Sequence, residues 1–245
     1  ELDCRLLPGD TPADFLAELA RVIGDDGVSI EPLLSFPASA SPSDSPVLAA
    51  IQTALGYIGV PFEVFIASQH PEGLTPTNLS NGCHGNYQGV ILTTNELGWN
   101  SPAGWASAFK DTDFATLATY ESQFGVRQVT WFTFPRPEVG FNFIADAATA
   151  VVQPSATPLA ATMTTAGASI FSYLNPSTTI PIQYSSIYLT TPFDQSTTPV
   201  LTDNAGHTLA GVYTDASSGR LNLSLLFDSN PWVMHTTLLS YGIVN

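Results

Sequence analysis

The sequence predicts an α/β fold: a mostly parallel sheet flanked by helices, with a C-terminal antiparallel hairpin and a final helix. Three observations predict it. Apolar strand-like runs alternate with segments of helical period through "VRQVTWFTF", at residues 126–134. Two alternating runs, "TLAGVYT" and "RLNLSLLF", are then joined by the short glycine-containing turn "DASSG". Last, Pro231 opens a largely apolar stretch, "PWVMHTTLLSYGIVN". Apolar strands alternating with helices argue for parallel pairing with both sheet faces covered.

The elements follow in order. Thr11 can cap a first helix, Pro12 suits its first turn and Asp14 faces the positive end of its dipole. Phe15, Leu16, Leu19, Val22 and Ile23 share a face, and Gly24 ends the helix. "GVSIEPLLSF" reads as a strand and "PASASPSDSP" as a polar connector. Ser45-Pro46 starts a second helix, in which Leu48, Ile51, Leu55 and Ile58 recur at helical spacing up to Gly59. "VPFEVFIAS" is the next strand; a Gly/Asn-rich loop follows, then the strand "YQGVILTT". A third helix covers residues 113–124 and closes at Gly125. "AATAVVQPSATPLAATMTTAGASIF" contains small residues and turn formers without a firm helix, and strands dominate from Tyr184 onward. Leu221, Leu223, Leu225 and Phe227 alternate with Arg220, Asn222 and Ser224, giving one buried and one wetter face.

Composition narrows the partners. Hydrophobic residues are 44% of the 245 and charged ones 11%, as in a globular chain. The net charge of −15 arises from a shortage of bases: Lys110 is the single lysine, and five arginines are scattered. Nucleic acid and anionic membrane surfaces both need clustered cations, so neither is an expected partner. No run of about eighteen apolar residues predicts a membrane span. Few charges among many Ser and Thr suit an extracellular surface. Cys4 and Cys83 leave a disulfide and two separate thiols equally open.

Two stretches resemble known families. "LDCRLLPGDTPADFLAELARVIGDDGVSIEPLLSFPASASPSDSPVLAAI" resembles the lid, or dimerisation, domain of M20 metallopeptidases, with "CRLLPGDTP" its most specific part. That family's metal-binding His-x-Asp and adjacent Glu pair are missing, so no peptidase activity is carried over. From residue 48 onward, "GVPFEVFIAS", "GNYQGVILTTNEL", "ATYESQFGVRQVTWFTFP" and "LLFDSNPWVMHTTLLSYGIVN" resemble the noncatalytic region of secreted polysaccharide deacetylases of the galactosaminoglycan type. At fold level the chain also resembles class I glutamine-amidotransferase-like and flavodoxin-like sheets. Because "GVSIEPLLSF" stands where such a sheet needs its first strand, residues 1–245 are expected to form one merged domain. Within it, 1–45 is the lid-like front and 46–245 the accessory-like body.

The expected ligand site is aromatic. Trp99 and Trp105 lie in "NELGWNSPAGWASAF", beyond the carboxyl end of "YQGVILTT", where ligands of parallel sheets collect. Asn95, Glu96 and Asn100 flank them, and flat rings beside amides and carboxylates suit a sugar. The competing reading packs both tryptophans onto the core. Trp131, inside a strand, and Trp232, at a helix start, are read as core.

No catalytic residue and no metal or other cofactor is expected. Cys83-His84 in "NGCHGNYQG" are chain neighbours in a glycine-rich turn, a poor geometry for nucleophile and base. His70, His84, His207 and His235 lack metal-ligand spacing, and there is no G-x-S-x-G elbow. The resulting expectation is a noncatalytic, extracellular accessory domain. It would bind an amino-sugar polysaccharide beside a deacetylase domain linked downstream. The alternatives are a hydrolase (esterase or amidase) with a hidden Ser/Cys-His-Asp site, in which Asp203 or Asp228 could serve, and a dimerisation module.

Overall fold

The computed structural model describes residues 12–24, 46–101 and 104–244. The chain divides into two units, Glu1–Ser45 and Pro46–Asn245. In the first, helix α1 (Pro12–Ile23) ends at Gly24, whose φ of 60° is the left-handed turn expected there. The strand expected at 27–36 lies outside the described residues, as does Cys4.

The second unit is mostly β with few helices, which corrects the expected α/β fold, a mostly parallel, helix-flanked sheet of glutamine-amidotransferase-like or flavodoxin-like type. Its helices longer than one turn are α2 (Pro46–Ile58), α3 (Asp111–Phe124), the short α4 (Thr165–Ile170) and α5 (Met234–Val244). The strands are β1 (Gly89–Thr94), β2 (Gly98–Ser101), β3 (Gly104–Ser107), β4 (Arg127–Phe132), β5 (Phe141–Phe143), β6 (Val151–Val152) and β7 (Leu159–Met163). They continue as β8 (Ile180–Ile182), β9 (Ile187–Tyr188), β10 (Thr190–Pro192), β11 (Thr197–Thr202), β12 (Thr208–Thr214) and β13 (Leu221–Leu225). Nine of them form one curled sheet in the order β8-β7-β11-β12-β13-β4-β1, with β10 and β5 branching from β12.

Among the described residues only β1–β4 and β4–β13 pair in parallel in this sheet; every other pair is antiparallel. The sequence pattern misleads for two reasons. "VPFEVFIAS" looks like a strand, yet residues 60–66 are irregular and lead into a short 3₁₀ turn, Ala67–Gln69. Conversely, the antiparallel half comes from Thr- and Pro-rich segments that carry weak hydrophobic alternation. β11 contains Pro199, which has no N–H to give the ladder, and its register with β12 shifts between Pro199 and Leu201.

Elsewhere the local chemistry holds. Buried Asp113 binds α3 to a distant loop: its carboxylate accepts from Lys110 N–H at 2.8 Å and Leu74 N–H at 3.0 Å. A Cβ at Gly73 would sit 2.3 Å from that carboxylate, and Gly73 has a φ of 83°, so the approach requires glycine. Gly125 closes α3 with a φ of 65°. The main core lies between the sheet and the pair α2 and α5. Ile51 and Leu55 of α2 join Leu239 and Ile243 of α5 over Val129, Trp131, Leu223 and Leu225. Trp131 is buried as expected, but Trp232 is 90% exposed. The helix begins at Met234 instead of Pro231, because Asn230 turns the chain by accepting Trp232 N–H at 3.0 Å, and Val233 points inward in its place.

Candidate functional site

Thr94 and Phe132 are register partners, so the parallel strands β1 and β4 end side by side. The chain leaving β1 is clamped to the chain leaving β4. The Asn95 amide Nδ2 donates to the Phe134 carbonyl at 3.0 Å, and its Oδ1 accepts the Phe134 N–H at 2.8 Å. Next to it, Glu96 is ion-paired with Arg136, whose guanidinium carbon lies 5.6 Å from the centre of the Phe134 ring.

From this base rises an antiparallel ribbon, β2–β3. It is anchored by Ser107 Oγ donating to the Glu96 carbonyl at 2.7 Å and by Ala108 N–H to the Leu97 carbonyl at 3.0 Å. Leu97 turns into the ribbon with a φ of 44°, an uncommon backbone state for a leucine. In register, Asn100 faces Trp105 and Trp99 faces Ala106. Paired residues project to the same side of a ribbon and neighbours along a strand to opposite sides. Trp105 and Asn100 therefore share one face, and Trp99 occupies the other. The indole of Trp105 lies against Gly98, where an added Cβ would meet its Cζ2 at 2.4 Å. Trp105 is 74% exposed and Asn100 is exposed, whereas Trp99 is half-buried.

The five expected site residues thus come together at one end of the sheet in different roles. Asn95 holds backbone. Glu96 is committed to Arg136 and to the ribbon's base. Trp105 and Asn100 face outward together, and Trp99 lies behind them.

A group of rings beside this base was not anticipated. Phe132 stacks on Tyr188 at 4.7 Å with planes 4° apart, and Phe134, Phe143 and Tyr188 meet edge to face at 5.4–5.6 Å. Phe134 is 37% exposed and the other three are partly buried. Burial, and then the Asp228 carboxylate, raise the Tyr188 phenol above its usual pKa, so its hydroxyl remains a donor. The signal was present in "WFTFPRP", where Phe132, Phe134 and Arg136 recur at the strand period of two. Their partners Phe143 and Tyr188 are brought in by tertiary pairing and carry no local mark.

The rival constellations are differently arranged. Cys83 and His84 are exposed at a tight turn between residues 80–81 and 84–85. Asp203 bonds His207 Nδ1 at 2.7 Å while accepting from Ala205 and His207 N–H, closing a turn. Ser185, Asp228 and His235 do converge, with Ser185 Oγ 3.2 Å from His235 Nε2. The carboxylate, however, accepts from Ser186 N–H at 2.8 Å, and His235 Nε2 faces the Asp228 backbone carbonyl at 3.4 Å instead of its carboxylate. A triad needs its acid on the imidazole and its nucleophile open to substrate. Here Ser185 is 6% exposed and His235 fully buried. Among the described residues no group of three or more His, Cys, Asp or Glu is gathered as metal ligands, and no helix is long and apolar enough to cross a membrane.

Comparison with known proteins now adds identity. No curated protein matches the chain. Among solved structures, that of Agd3, described as a novel carbohydrate deacetylase, superposes with a TM-score of 0.68 at 19% identity, over 82% of this chain and 30% of that one. The exo-β-1,4-mannosidase Op5Man5 from Opitutaceae bacterium strain TAV5 gives 0.43 at 12%, over 75% and 26% of the two chains. A β-galactosidase from Rahnella sp. R3 gives 0.47 at 12%, over 81% and 27%. The chain thus spans under a third of the length of each of these proteins. The sequence profile described as Agd3 CBM87 matches residues 42–242, no match supports the M20-lid resemblance of the front, and on the profile match this chain belongs to the Agd3 CBM87 family, a carbohydrate-binding accessory domain.

Proposed function

We propose that this domain binds an amino-sugar polysaccharide outside the cell and holds it beside a deacetylase domain of the same longer protein. The contact surface is the end of the sheet where β1 and β4 terminate. One observation carries the reading: the exposed indole of Trp105 packs against Gly98 with Asn100 on the same ribbon face. A ring fixed in place loses little freedom when a sugar stacks on it, and the neighbouring amide can both donate to and accept from hydroxyls.

The amino-sugar class is supported by charge. At −15 over its 245 residues, with six basic residues in all, the chain attracts a polymer bearing ammonium groups and repels a uronate polymer. Deacetylation converts neutral acetamido groups into such ammonium groups, so the polymer would be held more firmly as the reaction proceeds.

The test is retention on an insoluble amino-sugar polymer at rising salt, comparing wild type with Gly98→Ala. The new methyl displaces the indole without deleting it. Retention should fall with salt, as screening of exposed charges requires, and should fall in the variant at every salt concentration. Equal retention of both proteins would remove Trp105 from the site.

A further inference from the structure

The aromatic cluster and the ribbon do not use everything on this side of the molecule. β9 lies between β6 on one side and residues 226–228 on the other. Ile187 pairs with Val152 and bridges to Phe227, Tyr188 N–H reaches the Leu226 carbonyl at 2.7 Å, and Asp228 N–H reaches the Ser186 carbonyl at 3.0 Å. Extended chain alternates its faces. Ser185 and Ile187 are buried inward, leaving Ser186 and Tyr188 to face outward.

Exposed Gln153 continues β6 on that same outer face, where its Nε2 donates to Ser186 Oγ at 3.1 Å. The row ends at Tyr184. This half-exposed tyrosine has a φ of 53°, a left-handed state that is costly for an aromatic residue, and its N–H is held by the Pro154 carbonyl at 2.6 Å. Pro154 belongs to an open hollow of about 350 Å³, which Gln153, Thr157 and Pro158 also line.

The geometry points to an extended carbohydrate track with a second subsite at its far end. It runs from the Phe134–Tyr188 rings across Ser186 and Gln153 to the hollow beside Tyr184. The inference rests on the carbohydrate-binding reading and adds the form of the ligand: the interior of a linear glycan chain, not a terminal sugar. Tyr184 and Tyr188 are four residues apart along a chain that bends at residues 184 and 185, a separation of at most about 13 Å, which a few sugar units span. Between the two rings lie the Ser186 hydroxyl and the Gln153 amide, groups that suit sugar hydroxyls. Backbone strain kept at an exposed ring beside a hollow has a purpose under this inference, since it aims the ring.

Two variants test it. Tyr184→Gly removes the ring and suits the left-handed backbone, so its melting temperature should equal or exceed that of wild type. Gln153→Ala removes the amide in the middle of the track. Binding of a disaccharide, a hexasaccharide and soluble polymer, all from partly deacetylated chitin, is measured by titration calorimetry on the full chain. Wild type should bind the hexasaccharide and polymer more tightly than the disaccharide. Tyr184→Gly should weaken hexasaccharide binding roughly tenfold, the usual weight of an aromatic anchor, and erase most of the gain with length. Hexasaccharide affinity unchanged in both variants, against a wild type that binds, overturns the track and leaves the carbohydrate-binding reading standing. A wild type that binds none of the three overturns both.

Discussion

Asn95 and Phe134 are joined by both ends of one side-chain amide, through hydrogen bonds of 3.0 and 2.8 Å to the Phe134 backbone. This pairing ties the exit of β1 to the exit of β4, and it stands between the Trp105 ribbon and the Phe134 ring group. Asn95→Asp keeps the acceptor, loses the donor and brings a carboxylate against a carbonyl. We expect it to lower stability by about 1–2 kcal/mol and to weaken glycan binding by loosening Phe134. Chemical denaturation alongside titration checks both, and an undisturbed variant would deny the clamp any role.

Glu121 is 2% exposed and pairs with Arg220 Nη1 at 2.8 Å. Burial raises the pKa of Glu121, with Arg220 opposing the rise. Arg220→Ala leaves a buried carboxylate unpaired and should cost about 3 kcal/mol at neutral pH. A carboxylate whose folded pKa is raised is ionised in the fold at a cost, so stability is lost as pH rises through its titration. The deficit of the variant should therefore shrink as pH falls and Glu121 takes up a proton. A deficit independent of pH would show that lost packing, not lost charge, is responsible.

Asp228 and His235 oppose one another in pH. Burial pushes the Asp228 carboxyl up to about 6, against the hydrogen bonds from Ser186 and Ser185, and pushes the His235 imidazole down to about 4. The fold thus prefers both groups neutral. Asp228 costs stability as pH rises from its ordinary 3.8 through 6, and His235 costs stability as pH falls from its ordinary 6.5 through 4. In wild type the two slopes largely cancel between pH 4 and 6. Asp228→Asn keeps an acceptor for Ser186 and removes one slope. Relative to wild type it should gain on the order of 2–3 kcal/mol between acid and neutral pH. Denaturation midpoints across that range decide it, and parallel curves would refute it.

How much of this was legible in the sequence depends on where each piece of information lies. Helices α2 and α3 announce themselves through Pro46, Gly59 and Gly125 and through a local apolar period. The parallel pair β1–β4 is equally plain, because both strands are compact apolar runs separated by a helix. The antiparallel half is not, since β5 and β10 have three residues each, β10 and β11 are rich in Thr and Pro, and only pairing with β12 and its neighbours makes them strands. The site divides in the same way. Trp105 and Asn100 stand out as candidates because a tryptophan after a strand end is conspicuous, while Tyr188 lies fifty-six residues after Phe132 and meets it only in the fold.

The front of the chain gives a further test. Among the described residues, the strands of the large sheet fall between residues 89 and 225, and the family match begins at residue 42. Residues 46–245 should therefore express as a soluble protein with one cooperative melt. An aggregated product would support the merged domain read from the sequence, in which residues 27–36 complete the sheet.

If the face of the β2–β3 ribbon that bears Trp105 holds a polysaccharide, co-sedimentation of the full chain with insoluble chitin, before and after partial deacetylation, will detect it. Wild type should pellet with the polymer, more so with the deacetylated form. Trp105→Ala should stay in the supernatant, its affinity down roughly tenfold or more, with an unchanged melting temperature. Trp99→Ala, on the other face, should melt lower and keep its binding. Trp105→Ala that pellets like wild type, or a wild type that never pellets, would contradict the account.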